Sequence, residues 1–348
     1  MKLFPYSIEN SNIRLGLFLL PCSPSEASII IIPAPWEVTV SSRSGTALGP
    51  ESVLKASYQM HISAHEYAAV CKMGIAMLPI PHDWKMRSDM LRHDTASYIH
   101  ALELGLHRST LGTHVLKKIN WYTRQFKEEI KAKALTYLNK GKLVALLGGD
   151  HSTALGLLEA LAERHKEFGI LHVDAHATLH RAYQGFMYSH ASIMHHALKL
   201  PQVKRLVQVG LRDYAREEGE VIAASEGRIV AFLDEELKQR RFQGVTWDAC
   251  CQEIVDRLPD KVYVSFDIDG LDAKLCPSTG TPVPGGLDFD EVNYLFRRVV
   301  QAGKQIVGFD LCEVAPGENI DWDARVGSRL LYRLALNMGQ SQGKLPMG

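Results

Sequence analysis

Short, continuous runs of apolar and β-branched residues recur along this chain between stretches with a helical period: Ile29 to Ile32, Leu143 to Leu147, Ile170 to Val173, Leu206 to Val209, Ile229 to Phe232, Val262 to Phe266 and Ile306 to Phe309. A run that is apolar at every position has no side to show to solvent, so each of these strands must be covered on both faces. Strands of that kind alternating with helices specify an α/β fold with a parallel sheet. Between the second and third runs, Thr153 to Lys166 is apolar at 154, 157, 158, 161 and 162. This period predicts a helix, with Ser152 as its N-cap and Gly169 just past its end, completing a β-α-β unit. Further helices are expected from near Pro50, after the turn-rich S-S-R-S-G-T-A-L-G-P, and over Asp290 to Gln301. From Ala68 to Lys142 the pattern is mainly helical and more polar. No Pro/Gly/Ser linker, low-complexity segment or repeat interrupts the chain, so a single domain over residues 1–348 is expected, with 1–28 as an N-terminal extension.

The composition excludes several classes. At 348 residues and 46% hydrophobic content the chain can bury a large core. Lys plus Arg and Asp plus Glu both number 39, so electrostatics offer no case for nucleic acid or an acidic membrane surface as a partner. Cys22, Cys71, Cys250, Cys251, Cys276 and Cys312 show no C-x-x-C spacing, which suits reduced thiols in a cytoplasmic protein. Leu15 to Leu20 is too short for a signal-peptide core or a membrane span, so a soluble, unexported protein is expected.

Four of the apolar runs end in acidic or imidazole side chains. Ile170 to Val173 leads into Asp174 and His176, Leu143 to Leu147 into G-G-D-H-S with His151, Val262 to Phe266 into Asp267 and Asp269, and Ile306 to Phe309 into Asp310 and Glu313. In open parallel sheets, ligands bind in the crevice beyond the carboxyl ends of the strands, where loops from different strands converge. His151, Asp174, His176, Asp267 and Asp269 offer oxygen and nitrogen ligands and no thiolate, a set suited to Mn²⁺ or a similar divalent ion. They exceed the needs of one structural zinc and suffice for two ions sharing carboxylates, which at a separation of roughly 4 Å hold and activate a water. Each motif alone has a plainer reading. A D-x-D can cap a helix or fix a turn, G-G-D-H-S can be a tight turn with an Asp or Ser N-cap, and His172, on the same side as Asp174, can be a core histidine. His165, His195 and His196 lie on predicted helices, where solvated or packed imidazoles are ordinary. Only jointly do the motifs argue for one site.

G-G-D-H-S at 148–152, D-A-H at 174–176, S-F-D-I-D-G-L-D at 265–272, G-T-P-V-P-G-G at 280–286 and D-L-C-E-V-A-P at 310–316 resemble, in order, the signature of the ureohydrolases: arginase, agmatinase and formimidoglutamase. The resemblance covers about residues 29 to 338. Y-S-H-A-S at 188–192 is similar to the agmatinase branch, and the arginase asparagine and serine pattern that grips an α-amino acid is not visible after Asp174. The resemblance implies a three-layer α/β/α sandwich with a mainly parallel sheet, and a two-manganese site that hydrolyses a guanidino compound to urea and an amine. It implies that His151 holds the first ion, His176 and Asp269 the second, and that Asp174 and Asp267 bridge both. Glu313 would then bind the guanidinium by a charge-assisted bidentate hydrogen bond, and His190 would shuttle a proton near the leaving amine. A homo-oligomer, trimer or hexamer, is implied as well.

The family pattern is D-A-H-x-D, and this chain has Thr178 in place of the second aspartate. A threonine hydroxyl is a much poorer ligand for a divalent cation than a carboxylate. The first ion could bind weakly, or be lost to leave one ion at Asp174, His176, Asp267 and Asp269, or be retained through another group, for which His180 is the nearby candidate. The expectation is a metal-dependent, agmatinase-like hydrolase. A catalytically impaired homologue acting as a binding or regulatory protein stands as the alternative, followed by a formimidoglutamase or a mononuclear zinc deacylase. Recognition of the substrate's tail is expected from loops outside the metal motifs, Trp36 to Gly49 and Arg181 to Tyr188.

Overall fold

The computed structural model describes residues 16–106, 110–317 and 321–346. In chain order the elements are β1 (Ile29–Ala34), α1 (Gly49–Ser57), α2 (Ala64–Met73), β2 (Ile75–Met77), α3 (His82–Glu103), α4 (Thr110–Leu138), β3 (Leu143–Gly148), α5 (Ala154–Arg164), β4 (Phe168–Val173), α6 (Ile193–Ala197), β5 (Val203–Leu211), α7 (Arg216–Ala223), β6 (Ile229–Leu233), α8 (Asp234–Phe242), α9 (Trp247–Asp256), β7 (Lys261–Asp267), α10 (Phe289–Gln301), β8 (Gln305–Cys312) and α11 (Trp322–Ser341). The strands form one eight-stranded sheet in the order β2-β1-β3-β8-β7-β4-β5-β6, and every pairing is parallel.

Alternation along each strand explains why the runs are apolar at every position. Ile29, Ile31, Ala145, Leu147, Leu171, Val173, Val264 and Phe266 enter one core, which α1, α2, α9, α10 and α11 close. Ile30, Ile32, Val144, Leu146, Phe168, Ile170 and Tyr263 enter the opposite core, closed by α3 to α6. Helices on both faces of a parallel sheet make the three-layer α/β/α sandwich. Of the segment 1–28, the described part contributes Leu17, Phe18 and Leu20 to the first core. All six cysteines are free, and among the described residues no helix is long and apolar enough to cross a membrane.

All seven expected strands are present, and several local expectations need correction. An eighth strand, β2, has only three residues, too few to show a periodic pattern. Ser152 is not the N-cap of α5. It sits inside a 3-10 turn, His151–Thr153, whose cap is Asp150, the residue with extended backbone that accepts from the Ser152 amide at 3.0 Å. The helix ends at Arg164 and His165 is already extended, so His165 is not helical. Gly169 is a strand residue: a Cβ there would lie 2.5 Å from the Pro259 ring, and glycine permits that approach.

What positions the site is strand order. β3 and β4 are consecutive across their helix in sequence, yet β8 and β7 lie between them. The four strands with polar endings are therefore neighbours at the middle of the sheet, around the place where the chain's path reverses and a crevice opens.

Candidate metal and substrate site

The floor of the site follows from the two-residue period of a strand. His172 with Asp174, Ser265 with Asp267, and Asp310 with Cys312 each share one face, and register aligns them: His172 pairs with Ser265, Ser265 with Asp310, and Asp267 with Cys312. Above this floor stands His151. Its Nε2 lies 2.8 Å from Ser265 Oγ and 3.5 Å from Asp310 Oδ1, while its Nδ1 lies 3.3 Å from Asp174 Oδ2 and 3.4 Å from Asp267 Oδ2. Despite those distances Nδ1 makes no directed hydrogen bond and is buried without a partner. It is a nitrogen aimed between two carboxylates, as a shared cation requires.

The second half of the cluster is built from the turns that follow β4 and β7. His176 Nδ1 is 3.1 Å from Asp269 Oδ2 and 3.4 Å from Asp174 Oδ1. Backbone amides hold the carboxylates: His176 N donates to Asp174 Oδ1 at 2.6 Å, Asp269 N to Asp267 Oδ1 at 3.0 Å, and Ala175 N to Asp269 Oδ1 at 3.1 Å. Asp174, His176 and Asp269 present ligand atoms within 4.8 Å of one another. His172 is a core histidine with a task. The Gln208 amide donates both to its Nδ1, at 3.0 Å, and to Ala177 O, at 2.9 Å. That leaves the imidazole proton on Nε2, which faces Asp174 Oδ2 at 2.8 Å and steadies it.

Burial sets the protonation of the cluster. Asp267 is pushed well up by burial and by the adjacent charges of Asp269 and Asp174. Burial also opposes ionisation of Asp174, but the imidazoles of His172, His151 and His176 outweigh it and hold that carboxyl well below its usual range. Burial disfavours charge on His176 too, yet Asp269 and Asp174 push it up to about 12. Imidazoles kept protonated by buried carboxylates occupy places that a divalent cation would take in exchange for protons. With the unpartnered Nδ1 of His151, this donor set fits one or two such ions.

Glu313 and His190, both singled out in the sequence, line the same cavity of about 250 Å³. Glu313 Oε1 accepts from the His151 amide at 2.8 Å, and burial, then Asp267 and Asp150, push its carboxyl well up. His190 Nδ1 lies 3.4 Å from Thr39 Oγ1 and 3.3 Å from Ser189 Oγ. Burial, then His176 and His151, lower its imidazole to about 4, so it is neutral at neutral pH.

Thr178 lies in the wall of this cavity with a backbone φ of 51° and a buried hydroxyl that has no partner. His180 is the nearby group that could stand in for the absent aspartate. It faces Glu218, with Nε2 3.5 Å from Oε2. Glu218 also accepts from the amides of Leu179, at 2.8 Å, and Ala215, at 2.9 Å. Asp213 and Glu218 line the cavity without having carried a sequence signal, Tyr183 lines it from within the loop Arg181 to Tyr188 that was expected to meet the substrate's tail, and Ser265 became visible only through strand register. Asp310, which the sequence places among the polar endings, is wholly buried beneath His151 rather than open to the cavity.

The fold and this site define the class: an α/β protein with a buried imidazole and carboxylate cluster at the carboxyl ends of its central strands. The arginase-family model matches residues 27–337. The N(1)-aminopropylagmatine ureohydrolase of Thermus thermophilus is 33% identical over 294 residues, 84% of each chain. The agmatinase of Neisseria meningitidis is 29% identical over 334 residues, 95% of this chain and 92% of that one. Among solved structures, the agmatine ureohydrolase of Thermoplasma volcanium superposes with a TM-score of 0.69 at 22% identity, covering 92% of this chain and 93% of that one. The chain belongs to the arginase family, near its agmatinase branch.

Proposed function

We propose that the protein is a manganese-dependent hydrolase that releases urea from a guanidino compound with a cationic tail, a reaction of the agmatinase type. The observation that carries this reading is the lining of the cavity: Asp213, Glu218, Asp267 and Glu313 open onto it, and no lysine or arginine among the described residues does. An α-amino acid substrate would bring its carboxylate among these groups with no lysine or arginine to meet it, whereas a guanidinium with an amine tail can meet Glu313 at one end and Asp213 or Glu218 at the other. The names of the relatives, agmatinase and N(1)-aminopropylagmatine ureohydrolase, support the same class.

His151, Asp174 and Asp267 would hold one ion, and His176, Asp269 and the same two aspartates the other. The ions, when bound, supply Lewis acidity that activates water for attack on the guanidinium carbon. The chain's own groups do the rest. Glu313, anchored through the His151 amide, would receive two N–H bonds from the guanidinium, whose charge offsets the tendency of burial to protonate it. His190 has its Nδ1 turned to Thr39 and Ser189, which leaves Nε2 to carry a proton to the departing amine. Urea release should be measured on manganese-loaded protein across guanidino compounds. Turnover of agmatine-type substrates with little from arginine is expected, and no urea from any of them with metal bound overturns the proposal.

Thr178 favours a second reading, a catalytically impaired homologue with a binding or regulatory role. Thr178→Asp separates the two. Impairment predicts that the second equivalent of manganese binds about tenfold tighter or more and that urea release rises by a large factor. Unchanged or reduced release marks an enzyme adapted to threonine. Metal stoichiometry by elemental analysis distinguishes two ions from one.

A further inference from the structure

We propose that Thr39 and Asp150 are positioning residues for proton transfer: Asp150 orients the Thr39 hydroxyl, and that hydroxyl fixes the tautomer of His190 so that Nε2 is free to take up and deliver a proton. This rests on the hydrolase reading above and adds to it what holds the proton carrier.

Thr39 belongs to the loop Trp36 to Gly49, is wholly buried, and is carried by a segment clamped to the turn after β3. Asp150 N donates to Trp36 O at 2.7 Å, and a Cβ on Gly149 would lie 1.9 Å from the same oxygen, so only glycine admits this approach. Further along the loop, Glu37 Oε2 accepts from the amides of Gly45 at 2.7 Å and Ala47 at 3.1 Å. Thr39 is thereby held between Asp150 and His190, two residues far from it in the chain.

The tautomer follows from what one hydroxyl can do. It has a single hydrogen to give and two lone pairs to offer. The hydrogen goes to Asp150 Oδ2 at 3.4 Å, and one lone pair takes the His190 amide at 3.2 Å. The second lone pair faces His190 Nδ1 at 3.4 Å. A hydroxyl whose hydrogen is committed to a carboxylate can only accept from that nitrogen, so Nδ1 bears the proton of the neutral ring. Asp150 is itself held, its Oδ1 accepting from the Ser152 amide at 3.0 Å and from the Ser152 hydroxyl. Ser189 Oγ also lies near Nδ1, at 3.3 Å, but it takes the Ala191 amide as cap of the following turn, and no carboxylate among the described residues orients it.

In the reaction, Nε2 takes up the proton that the attacking water gives up. It delivers that proton to the amine nitrogen as the C–N bond breaks with its electron pair on that nitrogen. Nδ1 keeps its own proton throughout, and Asp150 steadies the imidazolium between the two transfers through the Thr39 hydroxyl. An orienting group behind a histidine has this effect in catalytic triads by direct contact.

Thr39→Val removes the hydroxyl at nearly constant volume, and Thr39→Ser keeps it. The tautomer is read from two-bond proton–nitrogen correlation spectra of histidine-labelled, full-length protein carrying zinc, which is diamagnetic, with His190→Ala identifying the signal. Neutral His190 is expected to bear its proton on Nδ1 in wild type and Thr39→Ser, and on Nε2 in Thr39→Val. With manganese and agmatine, Thr39→Val should lower kcat for urea release about tenfold or more with KM within about twofold, and Thr39→Ser should stay within about threefold of wild type. In a His190→Ala background Thr39→Val should cost nothing further, because the hydroxyl acts only through the imidazole, whereas a merely structural threonine would cost the same in both backgrounds. A wild-type proton on Nε2, a tautomer that Thr39→Val leaves unchanged, an unaltered kcat or additive losses overturn the proposal. If no substrate yields urea, the hydrolase reading fails and the spectra alone decide the positioning role. Should Thr39→Val not fold, Thr39→Ala takes its place in every comparison.

Discussion

Thr178 combines two effects that can be separated. Its backbone lies at φ 51°, a region that a β-branched side chain resists, and the fold holds it there because its carbonyl accepts from Met194 N at 3.1 Å. Asparagine tolerates that conformation and adds no charge. Thr178→Asn is therefore expected to relieve strain of about 1 kcal/mol and to raise the melting temperature of the metal-free protein by about 1–2 °C. Thr178→Asp relieves the same strain but crowds a fourth carboxylate onto the cluster, so without metal it should melt below Thr178→Asn. With saturating manganese the order should reverse. Thermal denaturation with and without the ion reads both, and an order that stays the same denies the carboxylate any part in metal binding. A second residue reports on pH. His195 is lowered to about 4 by burial, then by Lys199 and His196. Between pH 4 and the unfolded value near 6.5 the unfolded chain binds a proton that the native chain does not. The stability this imidazole contributes is thus complete above that window and lost as pH falls through it. Metal-free His195→Gln protein should lose less stability than wild type between about pH 7 and pH 5; identical slopes in denaturation experiments would refute this.

Among the elements, the junctions where strands end matter most. The 3-10 turn Ile268–Gly270 follows β7 directly and packs against the end of β4, where a Cβ on Gly270 would lie 2.7 Å from Asp174 N and 2.9 Å from Val173 C. Gly270→Ala must push these strand ends apart. The expected result is a loss of about 10- to 100-fold in manganese affinity, with a stability cost of only about 1–3 kcal/mol. Titration calorimetry together with denaturation would show it, and unchanged affinity would mean that the spacing of the strand ends does not set the site. The same junctions show how far elements can be read from sequence. The seven long strands were legible because burial on both faces leaves an unbroken apolar run. β2 was not, since three residues carry no period. Gly169 read as a helix end because a glycine needed for close packing against Pro259 looks, in sequence, like one needed for a turn.

For the molecule as a whole, the fold gathers buried carboxylates at one point of the sheet and relies on counter-charge there. Removing bound metal with a chelator should lower the melting temperature, and manganese restored at about 100 times its dissociation constant should return roughly 2.7 kcal/mol. A melting temperature indifferent to chelation and to manganese would show that the cluster is compensated by protons alone. The chain by itself determined the strand segments, their polar endings and the missing aspartate, because apolar period and residue chemistry are properties of near neighbours. The order β3-β8-β7-β4 was decided only in three dimensions, and with it the meeting of His151 with Asp174 and Asp267. So were the turn of His180 toward Glu218, the descent of Asp310 beneath His151, and the placing of Tyr183 and Asp213 around one cavity. Each joins segments far apart in the chain, and such contacts are fixed by how helices and strands pack rather than by any local pattern.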